Sequence, residues 1–591
     1  MHVNKAPDNL LTLFGKRIAE SGDKPAYKFL VTDDHYNMIS YHDFHERVLG
    51  YAAFLQHDVQ VKPKERALIL YPPGLDYIYA FYACLFAGVI AVPAYPPDTR
   101  NVNRIISIIR DCSPSVILTT HQHQRILDNF IAQHRLGDSF SGQVIVLPEV
   151  AEERLHQHYT DPGMQKHDIA FLQYTSGSTS DPKGVILTHE NLMANSHCIE
   201  ANLKTRRGME MVSWLPPYHD MGLIGGIIHP LSMGMTATLM SPLNFVKKPA
   251  RWLKMISDAT HADGVMSPAP NFGFELCTEK VTEEQLKGLH LDNWESAICG
   301  AEPIRLSTYE NFCRRFKAAG FKRSSFVPVY GLAEATLLLS GEVTQRNPFV
   351  GVFDAAGIKH NKVRNAGADS DGEQELFTRM IGCGPVVKDH SALIVNPDTL
   401  STCDENAIGE IWIRGNSIAK GYWNKPADTT FNAYTKEGAG PYFRTGDLGF
   451  FRDTQLYIAG RLKDCLIING RNHYPQDIEY TVSSVDDLLR KDSTAVFVME
   501  VTAEGRLKEE VVVVQEITRI REELPDFSAL FNAIRRAVFD AHGINVAEIL
   551  LIEQSSIPKT SSGKIMRHKA KELYAEKKLK TITLSSVHTD Q

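Results

Sequence analysis

Apolar runs of strand length alternate with amphipathic segments of helix length through most of the first 450 residues or so. Residues 66–71 (RALILY), 115–119 (SVILT) and 143–147 (QVIVL) are clear examples. The alternation narrows the choice of fold sharply. Strands separated by helix-length connections pair in parallel, with the helices laid on the sheet faces, so the chain reads as an α/β protein with mainly parallel sheets. At 591 residues it is too long for a single core. The pattern changes after Phe443, where turn-rich sequence leads into residues 456–461 (LYIAGR). A second compact region begins near Cys465, and residues 511–514 (VVVV) are its clearest strand. The expected division is a large N-terminal domain over 1–460, a connector over 461–464 and a small α+β domain over 465–591.

Composition removes several classes of function. A formal net charge of −7 over 591 residues gives no support for nucleic-acid binding. The nine cysteines are scattered with no C-x-x-C pair, which argues against a zinc site and against a disulfide framework. A reducing cytoplasm fits that usage. The opening MHVNKAPDNLL has no apolar signal core. Residues 77–95 (YIYAFYACLFAGVIAVPAY) are uncharged and long enough to span a bilayer. Gly88 and Pro93 interrupt them, so the reading is a buried helix ending near Gly88 and a core strand over 89–92. The lysines of the stretch 569–580 recur at roughly helical spacing and read as the solvated face of a terminal helix.

Residues 174–185 (YTSGSTSDPKGV) carry the most functional information. An apolar strand, 169–172, runs into a Ser/Thr/Gly loop, and Lys183-Gly184 closes it ahead of a second apolar run. Small hydroxyls and glycine-freed backbone N–H groups make a cradle for phosphate oxygens, and Lys183 adds a positive charge. The order Lys-Gly-Val opens a strand, so this is not the Gly-Lys-Ser/Thr loop that opens a helix. Alone, the segment is equally readable as a polar hairpin turn.

Further motifs follow in order: VYGLAEAT (329–336), GEIWIRGNSIAKGYW (409–423), YFRTGDLG (442–449), GRLKD (460–464) and PKTSSGKIMR (558–567). Together with the loop they cover nearly the whole chain and resemble the adenylate-forming superfamily of acyl-CoA synthetases, luciferases, adenylation domains and fatty acyl-AMP ligases. The resemblance implies attack of a carboxylate on the α-phosphate of ATP, giving an acyl-adenylate and pyrophosphate, with Mg2+ as the cation. It implies that Thr175, Ser176, Gly177, Ser178, Thr179 and Lys183 hold the leaving phosphates. It implies that Glu334 carries magnesium, a hard cation that wants carboxylate oxygen; on residue type alone a glutamate favoured by a helix N-terminus is the preferred reading. Tyr330 offers an aromatic face to adenine, flanked by Gly331, Leu332 and Ala333 and by the turn Gly300, Ala301, Glu302 and Pro303. The resemblance implies that Asp447 accepts the ribose hydroxyls, with Arg461 close by, and that Asp464 is the hinge about which the small domain turns. By the same resemblance Lys564 is expected to enter from the small domain and neutralise charge at the α-phosphate, where an exposed lysine in a Ser/Gly loop is otherwise simply solvated. His219 in WLPPYHDMGL (214–223) positions the acyl carboxylate, although a lone histidine beside aspartate is more often structural. Residues 265–272 and 298–300 would help line an acyl pocket. They offer no carboxylate for an amino group, which favours a fatty acid over an amino acid.

Two features tilt the resemblance toward fatty acyl-AMP ligases. The interval between Glu334 and Gly382 holds an extra polar stretch, 358–375 (IKHNKVRNAGADSDGEQE), and residues 460–479 resemble the hinge region of that subfamily. The extra stretch implies restricted domain motion, with Pro348, Phe349, Val350, Leu376 and Phe377 expected to anchor it. The implied substrate is a medium- or long-chain fatty acid, and the implied partner is an acyl carrier protein or a synthase carrier domain. A long-chain acyl-CoA synthetase, and a non-catalytic nucleotide-binding partner of a carrier protein, remain alternatives. A CoA-thioester assay separates the first, and fatty-acid-dependent pyrophosphate release the second.

Overall fold

A computed structural model describes residues 9–33, 35–97, 102–148, 155–175, 182–365, 377–426, 429–468, 471–503, 506–518, 526–560 and 563–586. The alternating runs form two sheets that are parallel except at one edge. One has the strand order Gln143–Val146, Val116–Thr119, Arg66–Ile69, Ile90–Pro93, Ile169–Tyr174, Gly184–Thr188, and only its last pair is antiparallel. The other runs Phe326–Pro328, Trp294–Cys299, Val265–Ala269, Glu210–Ser213, Thr236–Leu239, Pro25–Thr32, His35–Ser40, again with an antiparallel last pair. Helices cap where the sequence supplies oxygen acceptors. Thr188 accepts the backbone N–H of Asn191, whose side chain reaches back to the Thr188 N–H, and this starts helix His189–Leu203 at the end of a strand.

The apolar stretch 77–95 divides where its glycine and proline fall. Helix Leu75–Phe86 is buried on almost every side, the chain turns at Gly88 (φ +72), and strand Ile90–Pro93 follows. Its Tyr79, Phe81 and Tyr82 pack with Phe14, Tyr27 and Phe44 in the largest core. Each such ring contributes about 1.5–3 kcal/mol by leaving water. No helix among the described residues is long and apolar enough to cross a membrane.

A third sheet, not anticipated from the alternation, is antiparallel: His390–Val395, Gly409–Gly415, Phe443–Arg452, Gln455–Arg461. After Asp464 the chain builds a mixed sheet, Leu489–Ala503, Arg506–Ile517, Val546–Ile552, Thr581–Ser586. The valine run serves both of its faces. Val511 and Val513 meet helices Pro475–Ser483 and Ser528–His542, whereas Val512 and Val514 lie over helix Arg567–Ala575. The basic tail differs from expectation. Its helix stops at Ala575, and Thr581–Ser586 becomes an edge strand because a β-branched segment fits the open side of the sheet.

This C-terminal unit sits against the rest through a charged seam. Arg305 lies 2.9 Å from Asp492 and over the Tyr480 ring at 4.8 Å, and Lys491 pairs with Glu279 at 2.7 Å. The extra stretch contributes as well. Strands Val350–Asp354 and Phe377–Ile381 form a hairpin whose connection begins with helix Ala355–Lys359. Residues 366–376, including Leu376, lie outside the described residues. The expected anchors need correcting. Phe349 and Phe377 are 44% and 50% exposed, and Phe353, Ile358 and Val363 are the buried side chains instead. They pack with Phe450, Tyr457 and, from beyond the connector, Tyr474.

Candidate active site

The C-terminal ends of both parallel sheets open into one cavity of about 1120 Å³, the usual position for ligands in such sheets. Strand Ile169–Tyr174 delivers Thr175 to it, and Lys183 stands at the far end of the loop, where its carbonyl accepts the Thr175 N–H at 3.0 Å. Ser176, Gly177, Ser178 and Thr179 fall outside the described residues. The Lys183 ammonium lies 4.4 Å from the centre of the Tyr422 ring, and the Tyr422 hydroxyl donates to Glu334 at 2.8 Å. Burial first, opposed by that hydrogen bond, raises the pKa of Glu334. Among the described residues no group of three or more metal-ligating side chains occurs. A cation here would therefore have one carboxylate and the oxygens of its substrate, which is how magnesium usually binds with nucleotides. Glu334 has a second oxygen to offer, so the site fits it.

Tyr330, Asp447 and Arg461 form a chain across the cavity wall. The Tyr330 hydroxyl donates to one oxygen of Asp447 at 2.7 Å, and Arg461 donates to the other at 3.1 Å. Asp447 is reached by strand Phe443–Arg452 and Arg461 by its neighbour Gln455–Arg461, where the two residues are register partners. The Asp447 charge raises the pKa of Arg461. A carboxylate has about four lone-pair directions, so Asp447 retains acceptor capacity for further hydroxyls. Gly331, Leu332, Ala333, Ala301, Glu302 and Pro303 all line the cavity. Gly300 does not. It sits behind the turn, where a Cβ would come 2.7 Å from Val329. Burial pushes the Glu302 carboxyl up to about 7, against the pull of the Phe272 N–H that it accepts at 2.6 Å.

His219 lines the cavity with its Nδ1 2.7 Å from Asp220. Burial works to raise the Asp220 pKa, but His219 and then Lys564 hold it below the usual carboxylate value. Just after this pair the chain forms a π-helix, Met221–Ile228, a wide turn frequent at functional sites. Gly222 is required there, since a Cβ would lie 2.0 Å from the Pro216 carbonyl oxygen. Beyond it Gly225, Met211, Met266, Ile199, Leu203 and Leu337 make an apolar end to the cavity. Of residues 265–272 and 298–300, Met266, Pro268, Asn271 and Ile298 line it. Val265, Ala269 and Cys299 belong to a separate core, because alternate strand residues point to opposite faces.

Lys564 comes from the C-terminal unit and lines the same cavity. Its hairpin is closed by Thr560 and Lys564 and turned at Gly563, whose φ of +87 favours glycine. The lysine is enclosed yet open to cavity solvent. Desolvation, then Arg461, lowers its pKa, while Asp220, Glu302 and Asp447 pull it back up. Asp464, the expected hinge residue, accepts Arg567 at 2.9 Å, and Arg567 also grips both oxygens of Glu479 at 2.7 Å. Sequence reading missed Tyr422 and Asp220, although both lie inside quoted motifs. It also missed Arg104 and Arg305, single basic residues with no local pattern to mark them.

Two parallel sheets, an antiparallel sheet and a small mixed domain meeting at one cavity constitute the adenylate-forming enzyme fold. The AMP-binding enzyme family model matches residues 14–423, and a second model, the AMP domain of Disco-interacting protein 2-like proteins, matches 463–584. The medium-chain-fatty-acid–[acyl-carrier-protein] ligase JamA of Moorena producens is 40% identical over 569 residues, covering 94% of this chain and 93% of that protein. The putative fatty-acid–CoA ligase FadD21 of Mycobacterium tuberculosis is 35% identical over 593 residues, covering 96% and 98%. Among solved structures, a fatty acyl-adenylate ligase of Legionella pneumophila in complex with acyl adenylate and pyrophosphate superposes with a TM-score of 0.73 at 35% identity, covering 98% of each chain. The chain belongs to the AMP-binding enzyme family and, within it, to the fatty acyl-AMP ligases.

Proposed function

We propose that the protein activates a medium- or long-chain fatty acid with ATP, releases pyrophosphate, and passes the acyl group to the phosphopantetheine thiol of a carrier protein. The observation that carries this reading is the convergence of Lys564 with Asp447, Glu334, Thr175 and Lys183 on one cavity with an apolar end. The fatty carboxylate attacks the α-phosphorus, and the bond to the β-phosphate oxygen breaks with its electrons leaving on pyrophosphate. Two anions must meet, so positive charge at the attacking and bridging oxygens lowers the barrier. In this reading Lys564 supplies it, the 175–183 loop and Lys183 hold the departing phosphates, and Asp447 accepts the ribose hydroxyls. Tyr330 borders adenine, with the turn at Ala301, Glu302 and Pro303 beside it. His219, oriented by Asp220, positions the carboxylate. Magnesium, held by Glu334, would neutralise phosphate charge.

The large domain over 1–460 and the small one over 465–591 then turn about Asp464 after adenylation, which withdraws Lys564 and admits the thiol. Nine free thiols agree with a cytoplasmic setting. The test is incubation with ATP, magnesium and a panel of fatty acids, with and without CoA and with a phosphopantetheinylated carrier, products being identified by mass. Acyl-AMP without CoA, and acyl-carrier thioester with the carrier, are expected. The name carried by FadD21 favours a second reading, a CoA ligase, and efficient acyl-CoA formation would select it.

A further inference from the structure

Arg104 stands in the first turn of helix Val102–Cys112 and lines the cavity beside Thr175. One terminal nitrogen donates to the carbonyls of Tyr174 at 3.2 Å and Thr175 at 3.1 Å, the last two described residues before the loop. Its Nε is buried and meets no acceptor. Among the described residues no carboxylate pairs with it, and its one electrostatic neighbour is the Tyr95 hydroxyl. A half-buried guanidinium with no counter-charge among the described residues is costly. Arginine is also the side chain whose planar fork suits phosphate oxygens. Across the loop, Lys183 faces an aromatic ring instead of a carboxylate. The two ends of the phosphate loop are thus bracketed by cations that pair with no carboxylate among the described residues.

We infer that Arg104 is a further catalytic residue, a ligand of the β- and γ-phosphates of ATP that remains on pyrophosphate as it leaves. The inference rests on the ATP-dependent reading above. As the bond between the α-phosphorus and the bridging oxygen breaks, that electron pair settles on pyrophosphate. Arg104 then faces the charge without giving up a proton. Its carbonyl bonds place the cation: they hold the guanidinium to Tyr174 and Thr175, the two residues that lead into the loop.

The test separates charge from hydrogen bonding. Arg104→Gln keeps an amide donor for the Tyr174 and Thr175 carbonyls and loses the charge, whereas Arg104→Lys keeps the charge. ATP, AMP and magnesium pyrophosphate are titrated calorimetrically into the full chain, with thermal melting as the check on folding. Losing one charge-assisted contact is worth about tenfold in affinity. Arg104→Gln should therefore bind ATP and pyrophosphate about tenfold more weakly and AMP unchanged, and Arg104→Lys should stay within about threefold of wild type. ATP affinity retained in Arg104→Gln overturns the inference, as does an equal loss for AMP, which would mean a role in holding the loop alone. A wild-type protein with no affinity for ATP would instead overturn the adenylation reading itself.

Discussion

Excising the extra stretch should open the thioester reaction to CoA. Asp354 and Phe377 are register partners at the end of an antiparallel hairpin, so residues 355–376 can be replaced by Asn-Gly, which closes two-residue hairpin turns. The replacement removes helix Ala355–Lys359, the buried side chains Ile358 and Val363, and the 3.5 Å contact from Lys359 to the His542 carbonyl. Ile358 and Val363 share one cluster with Tyr474 beyond the connector and with Phe450 and Tyr457 before it. Fully burying one such side chain is worth about 1.5–3 kcal/mol, and if half of one faces Tyr474 the orientation seen here loses roughly 0.75–1.5 kcal/mol. That difference moves a two-state population about four- to twelvefold. Acyl-CoA formation, followed by mass, should rise by that factor, while acyl-AMP formation stays within about twofold because no proposed catalytic residue is removed. An unchanged thioester rate would refute the reasoning. So would a parallel fall in both reactions, which would mean that the stretch supports the large domain itself.

Three further outcomes are expected. Lys564→Ala should lower acyl-AMP formation by about 100-fold or more with ATP affinity nearly intact, since its charge acts at the transition state; a loss under about fivefold contradicts the assignment. Asp447→Asn should raise the Michaelis constant for ATP more than that for fatty acid, the lost charge-assisted hydrogen bonds being worth about 1.5–3 kcal/mol, and unchanged ATP binding by calorimetry rules out the ribose role. Glu302→Gln should stabilise the protein at pH 8 and do little near pH 4.5. The folded carboxyl is raised from 4.5 to about 7, so wild-type stability is lost as pH rises through that window and levels off above it. At about 1.36 kcal/mol per pH unit the full span gives roughly 3 kcal/mol, and solvent in the cavity reduces this to about 1–2 kcal/mol. A melting-temperature difference independent of pH would exclude the titration.

The parallel sheets were legible because apolar runs such as 66–71 and 115–119 carry their own period and are spaced by helix-length segments. The antiparallel sheet was not, since Phe443–Arg452 and Gln455–Arg461 read locally as turn-rich sequence and gain their partners only in space. Candidate residues inside contiguous motifs could be named one by one, and most of those described line the cavity. What joins them was not: the hydroxyl of Tyr330 on Asp447, Tyr422 between Lys183 and Glu334, and the Arg305–Asp492 pair span 117, 88 and 187 positions of chain or similar distances, and no spacing rule marks such contacts. The anchors of the extra stretch misled for a related reason. Phe349 and Phe377 are the bulkiest flanking residues, yet Phe377 pairs with Asp354 on the exposed face that also carries Val352, and Phe349 stands just ahead of the hairpin, exposed as well.

Arg567 joins Asp464, Glu479 and the hairpin that carries Lys564 into one block. Under the mechanism proposed above, this block would carry Lys564 in and out of the cavity together with the whole C-terminal unit. The two half-reactions would then exclude each other mechanically: a thiol would find its path closed while the lysine is in place, and a fresh ATP would find no lysine while the unit is turned away. Order would come from a lever that permits one chemistry at a time.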